Sequence, residues 1–61
     1  MSRILRRAQV CDITGLSYSS IYRLERSGRF PQRVKLTDRL VGWHEEEILQ
    51  WKHERSRASR P

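Results

Sequence analysis

Ser19, Tyr22, Arg23 and Arg26 stand at a spacing of i, i+3, i+4 and i+7. On a helix that turns about 100° per residue these four share one face, and Ile21 and Leu24 share the opposite one. A hydroxyl, a phenol and two guanidinium groups side by side suit a polyanion that also presents base edges. The guanidinium fork spans two phosphate oxygens, or the O6 and N7 of a guanine. Taken alone, such a face is more often just a solvated one. The neighbouring residues shift that balance.

Other chemistries find too few residues here. Cys11 is the sole cysteine, so no intrachain disulfide forms, and its company of Val10, Ile13 and Thr14 suits a small buried residue better than a reactive thiol. His44 and His53 lack a cysteine or carboxylate cluster at ligand spacing, so no zinc site is expected. There is no glycine-rich phosphate loop and no nucleophile paired with a base. Ser17, Ser19 and Ser20 are dense, but serine is expected where a helix starts. Neither an enzyme nor a cofactor is predicted.

The four donors need a helix held at a fixed angle, and the flanking residues supply one. Gly15 makes a turn, Ser17 can cap the following helix, and Gly28 can end it in a left-handed conformation, which predicts a helix over residues 17–27. Upstream, Val10, Cys11 and Thr14 give an inner face to a first helix, Arg7–Thr14, with Ile4 and Leu5 as a short lead-in that could lie over the core. Leu16 would fill the angle between the helices, and a short glycine turn is what a helix-turn-helix requires. Arg6 and Arg7 place positive charge at the positive end of the helix dipole, a penalty of a few tenths of a kcal/mol that a bound phosphate would remove. They are weak candidates for backbone contacts.

Beyond Gly28 the pattern changes. Phe30 before Pro31 disfavours helix, and Arg33, Val34, Lys35 and Leu36 alternate polar with apolar as a strand does. Thr37, Asp38 and Arg39 supply a turn, and residues 40–43 a second β-prone run, so a hairpin is expected. Val34, Leu36 and Val41 or Trp43 would face inward; Arg33, Lys35 and Arg39 would face outward. Tyr18, Tyr22 and Phe30 are placed outside the core. Glu45, Glu46 and Glu47 then open a third helix at the end where negative charge is favoured, with Ile48 and Trp51 as its buried stripe.

The whole chain supports the same direction. Its 61 residues make one small domain, able to bury only about 60% of its unfolded surface. Thirteen basic residues against seven acidic ones give a net charge of +6, and every basic residue except Lys35 and Lys52 is arginine. That excess favours nucleic acid over a merely soluble surface. No 20-residue apolar span, secretory signal or lipidation motif is expected to bind it to a membrane, so a cytoplasmic, nucleoid-associated protein is predicted.

The motifs T-G-L-S at 14–17, S-x-I-Y-R-L at 19–24, G-R-F-P at 28–31, V-K-L at 34–36, V-G-W at 41–43 and E-I-x-x-W at 47–51 together resemble the AlpA family of prophage regulators. Each piece is weak alone and the ordered set is specific, spanning about residues 4–55. The chain departs from the family pattern at Arg7, where an apolar residue is expected, and at His44 and two extra glutamates before the third helix. The resemblance implies a MerR-like winged helix that binds DNA, either regulating transcription or serving as an excisionase for an integrase. It also makes residues 17–27 the recognition helix and the hairpin around 37–39 the wing.

The expectation is therefore a mainly α fold with a small β-hairpin: a winged helix-turn-helix of three helices and a two-stranded wing. It occupies residues 1–55, with a basic disordered tail at 56–61. Double-stranded DNA is the expected partner, contacted by Ser17, Tyr18, Ser19, Ser20, Tyr22, Arg23, Arg26, Arg33, Lys35 and Arg39. Arg23 is the leading candidate for a base contact, and Arg33, Lys35 and Arg39 for the backbone or minor groove. Integrase or RNA polymerase are the candidate protein partners. No heptads follow the third helix, so a monomer that assembles cooperatively on DNA is expected. Two alternatives stay open: a docking module built on Trp43, Trp51 and the third helix without DNA specificity, and a small RNA-binding protein, which would need exposed aromatics on a sheet face.

Overall fold

Two short helices meet at Gly15 because each carries its own stop and start signals. The computed structural model describes residues 3–58, in the order β1 (Ile4–Leu5), α1 (Arg7–Thr14), α2 (Tyr18–Arg26), β2 (Val34–Lys35), β3 (Val41–His44) and α3 (Glu45–Ala58). Gly15 ends α1 at φ 73°, in the left-handed region that a residue without Cβ enters freely, and its N–H donates to the Cys11 carbonyl at 2.8 Å. The Thr14 hydroxyl donates to the Val10 carbonyl at 2.7 Å and accepts from the Leu16 N–H at 3.3 Å, so a side chain closes the turn as well. Ser17 then caps α2, its Oγ accepting from the Ser20 N–H at 3.2 Å, a contact worth about 1 kcal/mol. At the far end Gly28 donates to the Glu25 carbonyl and Arg29 to the Leu24 carbonyl, the paired bonds of a Schellman stop. The expected helix at 17–27 is thus a helical stretch, Tyr18–Arg26, between caps at Ser17 and Ser27.

The sheet has three strands where two were expected. β3 is its centre, pairing antiparallel with β1 through Ile4↔His44 and Leu5↔Trp43, and with β2 through Val34↔Gly42 and Lys35↔Val41. The residues at 4 and 5 are therefore a paired strand rather than a loose cover. Gly42 makes that pairing possible: a Cβ there would run into the Ile4 side chain and lie 2.9 Å from the Leu5 carbonyl oxygen. At the hairpin tip, Thr37 Oγ1 accepts from the N–H groups of Arg39 at 3.2 Å and Leu40 at 3.1 Å, a side-chain turn that places 37–39 in solvent.

Every layer contributes to the core: Leu5 and Trp43 from the sheet, Val10 from α1, Ile21 from α2, Ile48 from α3 and Phe30 from the connecting segment. Trp43 is fully buried and its Nε1–H finds no acceptor among the described residues. An unmade bond of this kind costs about 1 to 3 kcal/mol, whereas burying roughly 200 Å² of aromatic surface contributes about 5 kcal/mol, so the ring stays in. Leu16, expected to fill the helix angle, packs against this core, as do Cys11 and Leu24.

Three expectations about the core change. Phe30, placed outside it, is buried, because Trp51 from α3 meets it edge to face with ring centroids 4.8 Å apart. Leu36, expected to face inward, is exposed, because β2 ends at Lys35 and the alternation does not carry past the end of the ladder. Trp51 is half-buried rather than central; its Nε1–H donates to the Arg29 carbonyl at 2.8 Å and pins α3 to the segment after α2. α3 also runs on to Ala58, so the domain boundary drawn after residue 55 falls inside a helix. Residues 59–61 of the expected tail lie outside the described residues.

Candidate nucleic-acid interface

The inner face of α2 decides what its outer face can offer. Ile21 is fully buried on the inner side and Leu24 packs beside it. Opposite them Ser19, Tyr22, Arg23 and Arg26 are all exposed, in the arrangement the spacing predicts. Arg23 Nη2 donates to Ser20 Oγ at 3.5 Å, and Arg26 Nη1 donates to the Tyr22 hydroxyl at 3.4 Å while its guanidinium lies 5.7 Å from the Tyr22 ring centroid. These long, exposed contacts bias the direction of the two arginines and are weak enough to exchange for a ligand. Both basic residues also sit in the last turn of α2, where the helix dipole favours them. Ser17 and Ser20 are engaged with each other, their hydroxyls 3.1 Å apart, so both serve the cap first.

Arg33 is the correction that matters most. Expected to point outward from the wing, it is turned in and forms an ion pair with Glu25, a residue of α2 that is only 7% exposed. The Arg33 N–H donates to Glu25 Oε2 at 2.9 Å, Nε donates to Oε1 at 3.0 Å, and Nη1 donates to the Tyr18 hydroxyl at 2.9 Å. The same guanidinium lies 5.1 Å from the Trp43 ring centroid. The hydrogen bonds that the Arg33 side chain donates to Glu25 hold its pKa above the ordinary value, and the bond to Tyr18 adds to this against the effect of burial. The physical reason is Glu25: a carboxylate on an apolar helix face must be paired to stay buried, and the chain leaving α2 brings Arg33 back to it.

This brace also redefines Tyr18, expected on the DNA-contacting surface. Tyr18 is half-buried against the core, accepts from Arg33 and carries the Arg7 guanidinium over its ring at 4.7 Å. Lys35 and Arg39 are exposed on the hairpin, as expected. The structure thus brings Ser19, Tyr22, Arg23 and Arg26 together on one surface, leaves Lys35 and Arg39 on the hairpin, and withdraws Arg33 and Tyr18 into the scaffold. Glu25 was the residue that sequence reasoning passed over. Its position four after Ile21 already placed an acid on the apolar face.

Charge is distributed unevenly. Glu45, Glu46, Glu47 and Glu54, four of the seven acids, all lie on α3, which leaves α2 and the hairpin one acid each, Glu25 and Asp38, against Arg23 and Arg26 on the helix and Lys35 and Arg39 on the hairpin. Among the described residues no group of His, Cys, Asp and Glu could hold a metal ion, and no helix is long and apolar enough to cross a membrane.

The family model described as "Prophage CP4-57 regulatory protein (AlpA)" matches residues 3–56. The chain is also similar to "Uncharacterized protein ORF88" of Enterobacteria phage P4, at 43% identity over 49 residues, which covers 80% of this chain and 56% of that protein. It therefore spans little more than half the length of this relative. A match across nearly the whole fold, from the residue before β1 to the last turns of α3, carries the assignment: the chain belongs to the AlpA family of prophage regulatory proteins.

Proposed function

We propose that this chain is a sequence-specific, double-stranded-DNA-binding regulator of transcription in a phage or prophage. In this reading α2 enters the major groove and the hairpin acts as a wing on the backbone or in the minor groove. The observation that carries it is the outer face of α2, where Ser19, Tyr22, Arg23 and Arg26 are exposed together on a helix whose other face is locked into the core. Arg23, near the middle of that helix, reads a base edge; Arg26, Tyr22 and Ser19 divide between bases and phosphates, since at least half of protein–DNA hydrogen bonds go to the backbone. Lys35 and Arg39 hold phosphates. Such a protein works in the cytoplasm at the nucleoid, as a monomer that assembles cooperatively on DNA, with RNA polymerase as its protein partner.

Titration of purified protein against a selected operator duplex and a scrambled duplex, at several salt concentrations, tests this. Five or six neutralised phosphates give a slope of roughly −5 in log K against log salt. Operator affinity should exceed that for the scrambled duplex at every concentration. A slope shallower than about −2 would remove the electrostatic basis of binding, and equal affinity for both duplexes would remove base recognition.

The second reading is an excisionase that bends DNA for an integrase, which the same α2 face and wing would also serve. A circular-permutation mobility assay separates the two, because a strong bend centred on the site favours excision. A docking module without DNA specificity would instead capture a protein partner and leave both duplexes free.

A further inference from the structure

The antiparallel pairing of β1 with β3 has a topological effect. The chain leaving Leu5 runs toward the start of β3 and the hairpin turn before it, so Arg6 and Arg7 arrive beside Val41 and Arg39. The start of α2 closes the third side with Tyr18. A small concavity results, lined by Arg6, Arg7, Ala8, Tyr18, Arg39 and Val41.

Three guanidinium-bearing residues thus converge from two distant parts of the chain with no carboxylate in the lining. Among the described residues none of the three is ion-paired, although Arg3 and Arg33 both are. Asp38, next to Arg39 in sequence, is exposed and does not line the hollow. Arg7 is held over the Tyr18 ring, and the backbone of Arg6 is fixed at the start of α1 by its main-chain N–H, which donates to Gln9 Oε1 at 2.8 Å. The site is therefore partly preorganised. Its cations repel one another until an anion enters, and the planar forks match the oxygens of a phosphate.

We propose that Arg6, Arg7 and Arg39 form one site that seats a single phosphate of the DNA backbone, shared by α1, the start of α2 and the wing. This rests on the DNA-binding reading above and makes the wing and the recognition helix a single unit on one strand. Arg7 and Arg39 act on the same group, so their contributions to binding are coupled.

The test is a double-mutant cycle with Arg7→Ala, Arg39→Ala and the pair, measured on a scrambled duplex across a salt series, with thermal melts confirming that each variant is folded. Each single change should weaken binding by about tenfold, and the double should fall clearly short of the hundredfold product. All three variants should lower the salt slope by about one, because one phosphate is lost in each case. A multiplicative loss with a slope reduced by about two for the double would overturn the shared site and leave DNA binding standing.

A second arm decides the matter without DNA. Inorganic phosphate is titrated into the protein while the Arg Nε–H resonances are followed by NMR. Saturable shifts of Arg7 and Arg39 together, absent in Arg39→Ala, support the pocket even if neither duplex binds, in which case the proposed function fails alone. Shifts that are linear in phosphate and spread over every arginine would overturn the pocket where no duplex binding exists to measure.

Discussion

Arg23 and Arg33 carry the same guanidinium group into opposite settings. Arg23 stands exposed on the outer face of α2 with one 3.5 Å contact to Ser20 Oγ. Arg33 is half-buried, donates from its backbone and side chain to Glu25, and reaches the Tyr18 hydroxyl as well. One is available to a ligand and the other belongs to the scaffold that aims it. Net charge alone does not separate the two, since both count equally toward the +6. What separates them is whether the fold supplies a carboxylate within reach.

The largest effect is expected on the scaffold side. Glu25→Ala leaves Arg33 partly buried without its anion and should destabilise the fold by about 3 kcal/mol. For a domain of this size that is a fall of about 15 °C in melting temperature. A melt that hardly moved would make the Glu25–Arg33 pair a surface contact and erase the contrast with Arg23.

Next in size is Arg23→Ala, with the loss on the binding side. It should weaken operator binding by about 2 kcal/mol and scrambled duplex much less, without lowering the melting temperature. Equal losses on both duplexes would make Arg23 a backbone contact and move specificity to Ser19, Tyr22 or the wing. Lys35→Ala is the matched control, replacing Arg33 now that Arg33 is structural. It should weaken both duplexes about equally and lower the salt slope by about one.

Arg33→Lys sharpens the comparison further. The charge stays but the fork that serves Glu25 and Tyr18 together is gone, so a stability loss of about 1 kcal/mol is expected by thermal or urea denaturation. A wild-type midpoint would show that charge alone suffices. The smallest effect belongs to Tyr22→Phe. It removes the hydroxyl that accepts from Arg26 at 3.4 Å on an exposed surface, and should change stability by no more than about 0.5 kcal/mol. Any larger drop would mean that the outer face is built for stability rather than kept open.

The contrast also explains which features could be read from the chain. Ser17, Gly15 and Gly28 were legible because caps and left-handed stops are local: each depends on a few neighbouring residues and one backbone conformation. The outer face of α2 was legible because helical period is local too. Arg33 was misplaced because the alternation read through Val34 and Lys35 was extended one residue before the strand begins, and Leu36 was misplaced by the same extension at the other end. β1 was missed as a strand because two residues show no alternation, and their pairing with His44 and Trp43 closes a loop across most of the chain. Phe30 was left outside because its burial depends on long-range packing, including the approach of Trp51 from α3. Glu25 left a usable trace, an acid in the apolar stripe, whose partner only the return of the chain supplies.

Gly42 has a consequence that is genetic rather than chemical. A single methyl group at this position would push the Ile4 side chain and the Leu5 carbonyl away from β3, and Arg6 and Arg7 follow directly in the chain. The allele would alter no charge, no arginine and no residue of α2, yet it would disturb the strand that delivers Arg6 and Arg7 to the hollow beside Arg39 and Val41. An unbiased selection for loss of repression or activation should therefore return position 42 among its hits, next to the arginines. Trimming Ile4 to a smaller side chain would relieve only part of the clash, because the Leu5 carbonyl oxygen is backbone and stays in the way.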